Sequence, residues 1–140
     1  MNQNKNSSID LKVSLLSFLL SLVQRNVREF NLAEFDELTP ADLRALLGAL
    51  AVNNHFMRLV AKQQTLSKEA IGWLADALSQ NRSIEDLVMP SAHIGSSFAL
   101  IAEALGRNKA APLLRLEVPD NAIDDKSFAA LGSAIGRYFF

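Results

Sequence analysis

Offset against itself by 28 or 29 residues, the chain aligns four columns of apolar side chains, and this recurrence constrains its fold more than any local motif. Val27, Phe56, Ile84 and Leu113 form the first column, and Phe30, Leu59, Leu87 and Leu116 the second. Leu32, Ala61, Met89 and Val118 follow two residues later, then Leu38, Leu66, Ile94 and Ile123 after a turn. The step of two between the second and third columns is that of a short strand with one buried face. A second pattern completes each unit: Leu43, Ile71, Phe98 and Phe128, then Leu46, Leu74, Ile101 and Leu131, then Leu50, Leu78, Leu105 and Ile135. Intervals of three, four and seven residues give a helix with one buried stripe.

Each unit is therefore a strand followed by a helix. Parallel strands joined by helices curl with one hand, so the expected fold is α/β: a right-handed βα solenoid of about four units. Smaller signals agree. Ala49, Ala77, Ala104 and Ala134 form a column of alanines, expected where helix and sheet approach too closely for a larger side chain. Asn53, Asn81 and Asn108 follow three of the helices, where a left-handed cap is tolerated. Thr39 ahead of Pro40 reads as a capping hydroxyl before a proline at the first helical position.

Before the first unit, Leu11, Leu15, Leu19 and Leu22 recur at helical spacing, as do Leu16, Leu20 and Val23. With Asp10 as its cap, this segment reads as an amphipathic first helix. It is too short to span a bilayer, and no small-residue cleavage site follows it, so the compartment expected is the cytoplasm, with the apolar core of a secretory signal as the alternative reading of this segment. The organisation expected is a polar N-terminus and capping helix over residues 1–26 and a repeat domain over 27–140.

The motif Leu113-x-x-Leu116-x-Val118-x-x-Asn121-x-Ile123, with its helix ending in Ala134-Ile135, resembles the leucine-rich repeat. A unit of 28 or 29 residues with a full helix is similar to the ribonuclease-inhibitor type. That subgroup includes the Ran GTPase-activating protein, tropomodulin and the capping-protein/myosin linker proteins. Ala77-Leu78-x-x-Asn81-x-x-Ile84-x-x-Leu87 is similar to its helix-to-strand junction. The asparagine that bridges neighbouring backbones in the family's turn is present as Asn121; Phe35, Gln64 and Ala92 stand in the equivalent places, so those turns need other partners.

The composition restricts function. Fourteen Lys and Arg against fifteen Asp and Glu leave a formal net charge of −1, which excludes an extended basic nucleic-acid surface. With no cysteine, thiolate nucleophiles and Cys-containing zinc sites are excluded. Asp36-Glu37 and Asp124-Asp125 precede helices and read as caps, while Glu85 and Asp86 point to opposite faces of a strand. His55 and His93 sit outside ligand motifs, and no glycine run forms a phosphate loop. No catalytic constellation, cofactor or metal site is expected.

The candidate site is the sheet face turned away from the helices, the concave surface that solenoids offer to partners. Its central column is Asn31, Val60, Val88 and Glu117, the valines expected to be exposed. Beside it run Glu29, Arg58, Asp86 and Arg115, alternating in sign, and on the other side lies Lys62. Trp73 falls beside the buried helix stripe, where partial packing between helices is expected. A second candidate surface is the C-terminal end with Tyr138, Phe139 and Phe140, expected to fold over the last unit or to meet a partner. Pro112 and Pro119 bracket the final strand and read as devices against edge pairing.

The function expected is a non-catalytic protein–protein interaction module, with no nucleic-acid or membrane partner and with a homodimer through the C-terminal end open. The alternatives are a regulator of a small GTPase or of cytoskeletal assembly, as the resemblance implies, or a fragment of a longer leucine-rich repeat array.

Overall fold

The computed structural model describes residues 16–35, 38–62 and 65–138, with Arg137 and Tyr138 in backbone alone. It is an α/β fold with helical backbone at 16–24 (α1), then β1 (Glu29–Asn31), α2 (Pro40–Val52), β2 (Arg58–Val60), α3 (Lys68–Leu78), β3 (Asp86–Val88), α4 (Phe98–Arg107), β4 (Arg115–Glu117) and α5 (Asp125–Tyr138). The strands form one parallel sheet in the order β1-β2-β3-β4. Its register matches Phe30, Leu59, Leu87 and Leu116 across all four strands, the column drawn from the sequence.

Helix starts follow local chemistry. Thr39 Oγ1 accepts from the Asp42 amide at 3.2 Å with Pro40 as the first helical residue, and Ser67 Oγ accepts from the Ala70 amide at 3.1 Å. At α5, Asp124 Oδ1 accepts from the Ser127 amide at 2.9 Å. The hydroxyl of Ser127, then its amide, hold the Asp124 carboxyl below its ordinary value. A carboxyl lowered on folding stabilises fully above the ordinary aspartate range, near pH 4, and loses that contribution as pH falls through the lowered value. Asp124→Asn is therefore expected to flatten this part of the acid limb of an unfolding-midpoint series; an unchanged limb would show that the cap is not coupled to folding.

The core lies between the sheet and its helices. Leu59, Leu74, Leu87, Met89, Phe98 and Ile101 are fully buried in one cluster. Burial is complete in the middle units and partial at the end: Leu116, Val118, Ile123 and Leu131 are only half-buried. Phe128 and Ile135, expected in the buried stripe, are 56% and 45% exposed. Their columns are buried where another unit packs outside them, and among the described residues α5 has a neighbour on one side only.

At the other end α1 turns Leu22 into the core, with Phe18 and Leu19 packed against it, and leaves Leu16, Leu20 and Val23 exposed. Asp10, Leu11 and Leu15 lie outside the described residues. A run of rings joins α1 to the sheet: Phe18 meets Phe35 edge-on at 5.7 Å, Phe35 stacks on Phe30 at 5.4 Å, and Phe30 meets Phe56 edge-on at 5.1 Å. Phe35, standing where the family's turn asparagine would be, thus fills the first turn with an aromatic ring. Gln64 and the Asp36-Glu37 pair lie outside the described residues.

Two sequence expectations are corrected by how units meet. Asn53 and Asn108 have φ of −79° and −87°, and Asn81 is not among the residues of positive φ, so none is a left-handed cap. They form a ladder instead. Asn81 Nδ2 donates to the Leu50 carbonyl (2.8 Å) and the Asn53 carbonyl (3.1 Å), and Asn108 Nδ2 donates to the Leu78 carbonyl (2.8 Å) and the Asn81 carbonyl (2.7 Å). Each side chain thereby satisfies orphan carbonyls at the end of the preceding helix. The alanine column is the second correction, because it lies at helix–helix contacts rather than between helix and sheet. Ala77 shares a groove with Gly48 and Ala51 of α2, and Ala134 shares one with Ala102 and Gly106 of α4. Ala49, in the first of these helices, is exposed.

Candidate functional site

The face of the sheet turned away from the helices carries one residue column from each side of the strand centres. The register sets Glu29 beside Arg58, Arg58 beside Asp86 and Asp86 beside Arg115, so the alternating charges do form adjacent rungs. Arg58 Nε stands 3.0 Å from Glu29 Oε1, and its Nη1 3.8 Å from Asp86 Oδ2. The Nε atom is buried and makes no hydrogen bond among the described residues, so its contact with Glu29 is a Coulombic one with poor N–H alignment. Arg115 does not complete the row. It turns along its own strand, where Nε donates to Glu117 Oε1 at 2.7 Å and Nη2 also contacts that oxygen. Partly exposed pairs of this kind stabilise by roughly 0–1 kcal/mol each.

The central column departs from expectation. Val60 and Val88 are each 2% exposed, not open to solvent. They are short, β-branched side chains set between longer ones: Arg58, Asp86 and Lys62 along the strands, and Asn31 and Glu117 across them. The valines are covered although they lie on this face. Asn31 is half-buried and its Oδ1 accepts from the Ala33 amide at 3.0 Å. Lys62 is exposed. The face therefore presents charge and hydrogen-bonding groups rather than an apolar patch. Of the C-terminal candidates, Tyr138 ends α5 in backbone alone, and Phe139 and Phe140 lie outside the described residues.

The remaining chemistry-bearing residues are structural. His55 Nε2 lies 2.8 Å from the Val27 carbonyl and Nδ1 3.2 Å from Arg28 Nη1, so Nε2 donates, Nδ1 accepts and the ring is held in one neutral tautomer. His93 is exposed in a turn at φ 54°. Among the described residues no three His, Asp or Glu side chains group as metal ligands, and no helix is long and apolar enough to cross a membrane. Trp73 is half-buried between α2 and α3, with the Arg44 guanidinium 5.9 Å from its ring centroid, a cation–π contact that carries no periodic signal in the sequence.

Comparison with known proteins gives this geometry its context. The chain is 35% identical over 114 residues to Protein CARMIL of Dictyostelium discoideum. It is similar to proteins named as capping protein, Arp2/3 and myosin-I linkers. The human Capping protein, Arp2/3 and myosin-I linker protein 3 is 34% identical over 109 residues, and the Rho GTPase-activating protein gacW of Dictyostelium discoideum 30% identical over 113 residues. These matches take in 79%, 77% and 80% of this chain, yet 11%, 8% and 10% of the relatives, so the chain spans about a tenth of their length. No protein-family model matches it. The relatives include one of the groups named by the sequence resemblance, the capping-protein/myosin linkers.

Proposed function

We propose that residues 27–140 are about four leucine-rich repeats of the ribonuclease-inhibitor type, stacked as a right-handed βα solenoid with residues 1–26 as an N-terminal cap. In this reading the module works without catalysis in the cytoplasm, binds another protein through its concave sheet face, and takes part in regulating cytoskeletal assembly. Similarity over about four-fifths of the chain to proteins named for linking capping protein, Arp2/3 and myosin-I carries the reading. The charged face of the sheet supplies the surface: Glu29, Asn31, Arg58, Lys62, Asp86, Arg115 and Glu117 offer polar groups beside the buried Val60 and Val88. Charges on such a face set specificity and association rate more than raw affinity.

A second reading is regulation of a small GTPase, favoured by the 30% identity to the Rho GTPase-activating protein. One experiment separates the two. The purified chain is tested for binding to capping protein, Arp2/3 complex and myosin-I, and for any effect on GTP hydrolysis by a Rho-type GTPase. Binding to one of the cytoskeletal proteins, weakened about tenfold or more by Arg58→Glu with Lys62→Glu while the fold is retained, is the expected result. Binding unaffected by these substitutions would move the site off this face. Accelerated GTP hydrolysis with no cytoskeletal binding would favour the second reading, and the absence of both effects would remove both readings.

A further inference from the structure

We propose that the open end of the sheet is a two-fold interface with a second copy of the chain, in which β4 pairs antiparallel with itself about Leu116. Among the described residues β4 pairs only with β3, and the hydrogen bonds fix which of its groups are occupied. The Arg115 amide donates to the Glu85 carbonyl (3.0 Å), the Glu117 carbonyl accepts from the Met89 amide (2.7 Å), and the Pro119 carbonyl accepts from the Ser91 amide (3.0 Å). Odd-numbered positions therefore face β3. Strand alternation turns the amide and carbonyl of Leu116, the amide of Val118 and the carbonyl of Leu114 toward the open edge. The Leu114 amide is already taken by Glu85. Pro119, which lacks an amide hydrogen, stands on the covered side, and Pro112 lies outside the 114–118 window, so neither proline blocks that edge.

The sequence at this edge is its own complement under a two-fold axis, whereas parallel pairing in register sets Arg115 against Arg115 and Glu117 against Glu117. With Leu116 opposite the copy's Leu116, Arg115 of each chain stands opposite Glu117 of the other. Leu116 exchanges both of its backbone bonds with its counterpart, which places the Arg–Glu pairs at the closely spaced positions, with Cα atoms about 4.5 Å apart. The Arg115–Glu117 contact already made within each strand then becomes half of a ring of alternating charge. Both strands keep their charged side chains on the same sheet face, and α5 comes antiparallel beside its copy.

The apolar surface at this end supports the same partner. Leu114 is 82% exposed, and a groove of about 270 Å³ runs between β4 and α5, lined by Leu105, Leu113, Leu114, Leu116, Leu131 and Ile135. Phe128, 56% exposed, lies at helical spacing from Leu131 and Ile135 on α5. The equivalent residues one unit earlier, Leu87, Phe98 and Leu105, are buried by a neighbouring strand and helix. A two-fold copy offers a strand and a helix of the same kind to these positions, and an isologous contact of this sort closes after two chains.

The full chain is to be weighed by light scattering over a micromolar to submillimolar series, beside Arg115→Glu, Glu117→Arg and the double variant. The wild type and the double variant are expected to dimerise. Each single variant sets like charges opposite one another and is expected to weaken the dimer about tenfold or more, while an equimolar mixture of the two singles restores it as a mixed dimer. Circular dichroism melts of the singles, expected to stay cooperative, separate lost association from lost folding; Leu114→Lys, at a largely exposed position, is a second route to a monomer if a single variant unfolds. A wild type that stays monomeric, single variants that dimerise as well as it does, or a mixture that stays monomeric would each overturn the proposal.

Discussion

Replacing Asn121 by alanine is expected to lower the unfolding free energy by about 3–5 kcal/mol, read from urea titrations followed by circular dichroism. The side chain is 3% exposed and serves two turns at once. Its Nδ2 donates to the carbonyls of Met89 (2.6 Å), Val118 (3.0 Å) and Pro119 (3.0 Å), and its Oδ1 accepts from the amides of Ala92 (2.8 Å) and Ile94 (3.3 Å). Ala92 and Ile94 are buried, so truncation leaves their amides and the Met89 carbonyl without the partner they have. Each buried group left unpaired costs about 1–3 kcal/mol. The alanine also opens a small void between β3 and β4 turns. Asn121→Asp, nearly isosteric, keeps the acceptor but loses the donor, and is expected to destabilise at neutral pH as well. A loss below about 1 kcal/mol for both variants would mean that water replaces the side chain and that the turns are not held by it.

Phe98→Ala is expected to cost about 3–5 kcal/mol in the same assay, against about 0.5 kcal/mol or less for Phe128→Ala in the monomer. Both phenylalanines occupy the same position in the repeat. Phe98 is 0% exposed, at the start of α4 within the central cluster, whereas Phe128 is 56% exposed on α5. Truncating the first removes buried aromatic surface and leaves a cavity the neighbouring helices cannot fill by small shifts. Truncating the second removes surface that is largely in water already. Since domains of this size are stable by about 5–15 kcal/mol, the Phe98 variant is expected to unfold several molar units of denaturant earlier or to be unfolded outright. Equal losses for the two variants would show that the end of the molecule is as well packed as its middle, which would also remove the open face that the dimer needs.

These two comparisons mark the line between sequence and tertiary structure in this protein. Period and offset alone determined the order of strands and helices, the register of the sheet and the identity of the inward columns, because burial on one face imposes a step of two on a strand and of 3.6 on a helix wherever they occur. The caps at Thr39 and the bridging role of Asn121 were equally legible, since each depends on chemistry within a few residues or on a motif with one geometry. The candidate face was legible as a row of charges but not in its relief. Whether Val60 and Val88 meet water depends on the packing around them, and the choice of Arg115 for Glu117 over Asp86 is a competition between partners at similar distance along and across a strand. The asparagines at 53, 81 and 108 stood out as a column, yet their column position is consistent with a cap or a ladder; only the approach of one helix end to the next decides that Asn81 and Asn108 donate across units. The alanine column divided in the same way, with Ala77 and Ala134 covered by a neighbouring helix and Ala49 left in solvent. A repeating sequence specifies what each unit presents to its neighbours. The tertiary structure alone decides which units have a neighbour, and burial, hydrogen bonding and the open edge at β4 follow from that.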